Sequence, residues 1–225
     1  MQRSAIISKV RAKIDEITAH DDIQLVDDVF AVIDENLEDS ANDFLQKAPL
    51  WLLQGKEFPA NRHFKRPDGS GTIPLPSDFL RLKSFQMSEW RYPVYEVITD
   101  KHPRYRHLSN PHLTGTPNNP IVAIVGGGES NNLLLEYYTV RGSHEIKRSH
   151  YIQRVVKGGK GDDFTVMSLS PKEIDGFVWQ MVADFFLIVQ QPGLAQAAAM
   201  KLTEFFALNS WDEPSPMYPP PPGKE

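Results

Sequence analysis

Ser77 and Asp78 follow two prolines in the segment TIPLPSDFLRLKSF, and a serine beside an aspartate raises the question of nucleophilic chemistry. A hydrolase-type serine lies in a G-x-S-x-G turn between a strand and a helix. The residues around Ser77 do not match that pattern. An aspartate after Pro-Ser is more typical of a turn whose backbone N–H groups it caps. We therefore expect Asp78 to hold a turn at the start of a strand.

Three histidines, His102, His107 and His112, are spaced by five residues in the polar segment 99–120. A zinc site of the H-E-x-x-H type is not present, and few carboxylates lie nearby, so we predict no metal site and no cofactor. Segments of this length without secondary structure are usually functional or disordered. We expect a contact loop whose interface residues are Arg104, Tyr105 and Arg106. An enzyme that uses the loop as a lid over a small-molecule pocket remains an alternative.

Two glycine-rich stretches, GGGESNN (126–132) and KGGKGDD (157–163), suggest phosphate binding. Neither matches the G-x-x-x-x-G-K-[ST] loop that cradles nucleotide phosphates. The first is typical of a hairpin turn, and the second of a connector.

Residues 144–161 form a basic stretch with five Lys or Arg residues against one acidic residue. Such a surface attracts nucleic-acid phosphates without sequence specificity. It would equally dock onto an acidic face of another subunit. The residues available for either contact are Lys147, Arg148, Arg154, Lys157 and Lys160.

The 225-residue chain has no cysteine, which excludes disulfides, thiolate metal sites and a thiol nucleophile. Residues 1–53 carry 5 basic and 11 acidic residues, residues 54–160 carry 16 and 9, and residues 161–225 carry 3 and 9. A basic middle between acidic flanks bears on partners and on orientation during assembly rather than on fold. Neither a signal-peptide core nor an apolar run of membrane-spanning length is present, so we expect a soluble, unexported protein without a membrane partner.

Helical patterns occupy the N-terminal part, residues 1–55. Apolar residues recur at three- and four-residue steps from about Ser4 to Ala19, and again up to Ala48. Asp21 or Asp22 is a candidate N-cap for the second helix, which is either one rod or broken near Asn36. Pro49 ends it.

The middle, residues 56–169, is predicted to be β-rich. Ile73 to Pro76 are expected to form a turn, residues 79–85 and 92–98 to form strands, and residues 121–125 and 133–140 to form a hairpin. Phe79, Leu82 and Phe85 are the expected apolar anchors.

Residues 170–208 are predicted to form two more helices, the first beginning with an N-cap at Ser170 and a proline at Pro171. This first helix is apolar nearly all round, which is typical of a bundle centre or of a helix shared between subunits. We favour sharing, with Phe177, Met181, Asp184 and Phe185 at the interface. The resulting fold class is α+β, a helical bundle formed by N- and C-terminal helices with an inserted β-rich module.

The tail, residues 209–225, is rich in proline and cannot join a helix or a central strand. We expect it to lie along a partner as an extended arm that uses Trp211 and Tyr218.

The order of these signals resembles a known family. APLWLL (48–53), then LPSDFLRL inside GTIPLPSDFLRLKSF (71–85), YPVYEV (92–97), the NNPIVAIV to LLLEYYTV hairpin and the helix SPKEIDGFVWQMVADFF follow one another. This series is similar to phage head-to-tail adaptor proteins of the tail tubular protein A type, including ring proteins of crAss-like phages. The likeness spans about residues 20–208. The loop 99–120 and the proline-rich tail have no counterpart in it.

The resemblance implies a structural virion protein of a short-tailed double-stranded DNA phage, made in the bacterial host cytoplasm and placed at the head–tail junction. It implies a ring of 12 copies between the portal protein and a tail hub, nozzle or second ring, with DNA passing through the lumen and no enzymatic role. The main alternative is a nucleic-acid-binding protein whose basic β module contacts phosphates nonspecifically.

Overall fold

The structure, a computed structural model, describes residues 3–19, 28–58, 63–110, 112–126, 133–155 and 171–209. These residues divide into a helical unit, within Met1–Gln54 and Val155–Glu225, and a β unit, within Gly55–Arg154. The fold is mixed α+β, with N- and C-terminal helices flanking a β-rich region, which confirms the predicted fold class.

In its described part the helical unit contains four helices: α1 (Arg3–Thr18), α2 (Val29–Lys47), α3 (Pro171–Ile188) and α4 (Pro192–Asn209). The predicted stripe of α1 is buried at Ile6, Val10 and Ile14. All four helices pack into one bundle, and the core of α3 is covered by the others.

The second helix begins after Asp28, whose side chain accepts a hydrogen bond from the Ala31 N–H at 2.9 Å. The cap of the second helix is thus Asp28 rather than the predicted Asp21 or Asp22. Asp21, Asp22 and the predicted cap Ser170 themselves lie outside the described residues. α2 runs through Asn36 without a break, because its apolar positions continue in register to Leu45. Its end before Pro49 and the start of α3 at Pro171 agree with the predictions.

The β unit contains a three-stranded sheet with the order β1-β10-β4, formed by β1 (Lys56–Glu57), β4 (Phe79–Met87) and β10 (Ile146–Gln153). Both pairings are antiparallel. The strand at β4 was predicted, whereas β10 is the basic stretch, which had not been predicted as a strand. Its side chains alternate around buried Ser149 and Tyr151, as expected for a sheet with one covered face.

A second sheet has the order β2-β3-β9-β8-β5. Its strands are β2 (Phe64–Lys65), β3 (Gly71–Pro74), β5 (Ile98–Thr99), β8 (Val122–Gly126) and β9 (Leu133–Tyr137). β8 and β9 pair in antiparallel fashion, which confirms the predicted hairpin, although its turn lies outside the described residues.

Three local predictions need correction. Residues 92–98 do not form a strand: Val94 makes one bridge to Phe85, and pairing resumes only at β5. Pro93 has no N–H to donate on the edge opposite Phe85, which disfavours a strand paired on both edges. Ile73 and Pro74 belong to strand β3 rather than to a turn. The segment 99–120 is not a loop without structure, since it contains a 3-10 helix (Pro103–His107) and the short hairpin of β6 (Gly115–Thr116) and β7 (Asn119–Pro120).

Asp78 connects the start of β4 to its neighbouring strands. Its Oδ1 accepts a hydrogen bond from the Tyr151 hydroxyl at 2.9 Å, and its Oδ2 lies 3.4 Å from Lys56 Nζ. Its backbone carbonyl accepts a bond from the Arg154 N–H. Burial is the main cause that raises the pKa of Tyr151, and the hydrogen bond to the Asp78 carboxylate raises it further. Asp78 therefore ties three strands together and does more than cap a local turn.

Replacing Asp78 by alanine is expected to lower the free energy of unfolding by about 1–3 kcal/mol, because the buried Tyr151 hydroxyl loses its acceptor. The Tyr151→Phe variant removes the same bond without leaving a polar group unpaired, so its loss should be smaller. Urea unfolding of both single variants and the double variant measures the coupling. Strictly additive effects in this double-mutant cycle would contradict the proposed tie.

Candidate functional site

A cavity of about 560 Å³ lies in the β unit beside the five-stranded sheet. One face of that sheet covers the main apolar core, with Ile73, Leu135 and Tyr137. Because side chains alternate across a strand, Glu136 projects from the other face. There it lies among segments that include the predicted contact loop.

Glu136 is the buried charge of this cavity, only 9% exposed. Its Oε2 accepts hydrogen bonds from the Tyr105 hydroxyl at 3.0 Å and the Tyr138 hydroxyl at 2.8 Å. Its Oε1 lies 3.6 Å from Arg66 Nη2, which is longer than a hydrogen bond. Burial and the nearby carboxylate raise the pKa of both tyrosines, so the hydroxyls remain proton donors near neutral pH.

Three arginines, Arg66, Arg106 and Arg141, line the same cavity and expose their side chains. Among the described residues, Arg106 and Arg141 have no carboxylate within ion-pair distance. Asp68 also lines the cavity, but it accepts hydrogen bonds from the N–H and hydroxyl of Ser70, which lower its pKa and commit it to the 66–70 turn.

The residues of the predicted contact loop therefore line two different depressions of the surface. Tyr105 and Arg106 belong to the cavity, whereas Arg104, His107 and His112 line a smaller neighbouring depression of about 330 Å³. His102 caps the 3-10 helix by accepting a bond from the Arg104 N–H. In the described part of the chain, no three His, Asp or Glu side chains gather in a way that could hold a metal ion.

The cavity bears on the alternative of a small-molecule enzyme. A pocket does lie beneath part of the loop, and it contains a buried carboxylate. The histidine whose pKa is lowered, chiefly by burial, is His144, which pairs with the Tyr137 hydroxyl at 2.9 Å and does not line the cavity. The cavity geometry thus provides charged and hydrogen-bonding groups for binding.

The basic stretch presents Lys147, Arg148 and Arg154 as exposed side chains. The first two lie on β10, and Arg154 follows it. Lys157 and Lys160 lie outside the described residues. The acidic face expected to oppose such a surface is partly neutralised within its own unit, since Asp34 pairs with Arg3, and Asp43 with Lys47.

Three of the four interface residues predicted on α3 are covered within one chain. Phe177, Met181 and Phe185 are at most 1% exposed, because α1, α2 and α4 surround this helix. This corrects the expectation that they face a neighbouring subunit. Asp184 is half-buried, burial raises its pKa, and it accepts a hydrogen bond from Gln180 at 2.9 Å.

Trp211 and Tyr218 of the predicted tail interface lie outside the described residues. The exposed apolar side chains of the C-terminal helices are different ones: Leu187, Ile188, Met200 and Leu208.

Sequence reasoning missed Glu136, Tyr138, Arg66 and Arg141. A signal for the first was present, since Glu136 interrupts the apolar run LLLEYY, where a charge must either face solvent or be compensated. The two arginines are brought to it by sheet pairing and turns that composition does not reveal.

No described helix is long and apolar enough to cross a membrane. The sequence matches no protein-family model, and no curated protein is significantly similar to it.

Proposed function

We propose that the protein is a structural subunit of a phage head-to-tail connector ring, located between portal and tail, with DNA passing through the lumen. The observation that carries this proposal is the LPSDFLRL segment and its position in the order of helices and strands along the chain. Helices precede it, a β-rich region contains it, and a helical pair follows. The proposal rests on this resemblance of motif and order.

The local role of the segment agrees with a structural function. Leu75, Phe79 and Leu82 are buried, and Asp78 holds neighbouring strands through its carboxylate and carbonyl. The residues that carry the resemblance are thus used for packing and hydrogen bonding. We find no nucleophile and base placed together in this segment among the described residues.

A ring needs two different surfaces on each subunit, because heterologous contacts repeat head to tail until the rotation closes. Leu187 and Ile188 near the end of α3, with Met200 and Leu208 on α4, supply exposed apolar area. Large exposed apolar groups favour protein contacts. We therefore move the proposed subunit contact from the buried positions of α3 to these residues.

Native mass spectrometry and electron microscopy of the purified full chain test the proposal, alone and mixed with the portal protein of the same phage. We expect closed rings of about twelve subunits, with the portal promoting their formation. Leu187→Ser together with Met200→Ser should weaken ring formation, whereas Phe64→Ser, which changes an exposed aromatic side chain in the β unit, should leave it intact.

A nucleic-acid-binding protein is the second candidate, supported by the exposed Lys147, Arg148 and Arg154. The same preparations distinguish the two functions. A chain that stays monomeric under all conditions, with and without the portal, and binds DNA with steep salt dependence would replace the connector proposal.

A further inference from the structure

We propose that the cavity around Glu136 binds a small hydroxylated organic anion, such as a sugar phosphate or a hydroxy acid. This site goes beyond the connector role and does not depend on it. Three features of the described residues support this inference: the size of the cavity, two arginines without a carboxylate partner, and a carboxylate oxygen without a hydrogen bond.

The volume of the cavity indicates a small molecule as the ligand. A volume of about 560 Å³ lies within the range of sites that enclose small molecules. Four separate chain segments supply the walls: the 66–70 turn, residues 105–109, the hairpin at 114–117, and residues 136–141. Walls drawn from a sheet, a 3-10 helix and turns make a concave site rather than a gap along one element.

The charge of the ligand follows from the arginines. Arg106 and Arg141 line the cavity without a carboxylate partner in the described chain, and Arg66 makes only a long contact with Glu136. Guanidinium groups bind carboxylate and phosphate oxygens through charge-assisted and often bidentate hydrogen bonds. Three such groups around one space favour an anion.

Glu136 is the reason for expecting a hydroxyl group on the ligand. Its Oε2 is occupied by two tyrosine hydroxyls, which fix the orientation of the carboxylate. Among the described residues its Oε1 has no partner at hydrogen-bond distance, and the side chain is 12% exposed. A carboxylate oxygen that faces the cavity can accept a hydrogen bond, and a ligand hydroxyl supplies the donor. A ligand with an anionic group and no hydroxyl would offer this oxygen no donor.

The distance between the arginines and Glu136 would determine which ligands the cavity binds. The ligand must present its anionic group to the arginines and a hydroxyl to Glu136 at the same time. Hydroxyl side chains of Ser109, Thr114 and Thr116 also line the cavity and can bond further ligand oxygens. A bare anion or a neutral sugar would satisfy only one half of the site.

Isothermal titration of the full chain with ribose 5-phosphate tests the proposal, with ribose and inorganic phosphate as matched probes. We expect saturable binding of ribose 5-phosphate, at least about tenfold tighter than that of either probe. The Arg106→Gln/Arg141→Gln variant should weaken it about tenfold or more. Arg104→Gln is the control, because Arg104 lies on the same 3-10 helix but does not line the cavity.

A second variant, Glu136→Gln, keeps the side-chain shape and separates the two halves of the site. It should reduce the preference for ribose 5-phosphate over inorganic phosphate without abolishing phosphate binding. Absence of saturable binding up to about 10 mM would overturn the proposal. So would equal affinity for inorganic phosphate, or equal weakening by Arg104→Gln and by the double variant. Circular dichroism spectra identical to the unchanged chain show that each variant has folded.

Discussion

Replacing Phe177 by alanine is expected to lower the free energy of unfolding of the single chain by about 3–5 kcal/mol. The side chain is fully buried on α3, its ring lies 6.1 Å from that of Phe44, and the Phe44 ring in turn stacks on Phe206 at 6.0 Å. Truncation would leave a cavity between three helices that cannot close without moving their backbones.

This prediction separates a bundle core from a subunit interface. Urea unfolding followed by the helical circular dichroism signal should show the loss at every protein concentration, because the lost contacts lie within one chain. Leu187→Ala on the same helix is the control: its side chain is 60% exposed, and we expect a change within about 0.5 kcal/mol. A Phe177→Ala chain with unchanged stability but weaker assembly would restore the interface interpretation.

The ambiguity of α3 shows what a sequence pattern can and cannot predict. An apolar helix surface requires a cover, but its pattern is the same whether other helices of the chain or a second subunit supply it. The structure covers Phe177, Met181 and Phe185 with helices from both ends of the chain. That long-range pairing is a property of tertiary packing.

Local periodicity predicted the regular elements best. The stripe of α1, the strand β4 and the hairpin of β8 and β9 follow directly from apolar spacing. The strand β10 was missed because its alternation is irregular: Lys147 and Arg148 are both exposed, and Tyr151 and Ile152 are both buried where the register shifts. The charge of these residues indicates a partner surface, although they also belong to the central strand of the sheet, where Arg148 pairs with Gln86 of β4.

The cavity depends on contacts far apart in the sequence, which explains why its composition was not predicted. Tyr105 reaches Glu136 across 31 residues, and Arg66 reaches it across a longer separation. Arg66 follows β2, which pairs with β3 and so comes close to β9, and Tyr105 is carried by the 3-10 helix, which contacts β5 of the same sheet. A sequence can mark Glu136 as an anomaly in an apolar strand, but the partners follow from topology.

The second large effect is expected in the β unit, where Phe85→Ala should lower the free energy of unfolding by about 3–5 kcal/mol. Phe85 is fully buried at the centre of an aromatic cluster. Its ring lies 5.6 Å from Trp90 in an edge-to-face arrangement and 6.1 Å from both Phe58 and Tyr137. Aromatic pairs of this kind add to the energy of apolar burial.

Tryptophan fluorescence during urea unfolding is the measurement; Trp90, one of the four tryptophans of the chain, contributes to it and loses a ring contact in the variant. Phe85→Leu should cost less than Phe85→Ala, since more of the volume is retained. Phe64→Ala, at a side chain 68% exposed on β2, is the control and should change stability little. The backbone pairing of Phe85 with Val94 uses no side-chain atoms, so these substitutions remove side-chain contacts and no backbone donor or acceptor. Equal effects at Phe64 and Phe85 would show that the anchor of the LPSDFLRL strand lies elsewhere, and that its resemblance to the connector motif does not extend to packing.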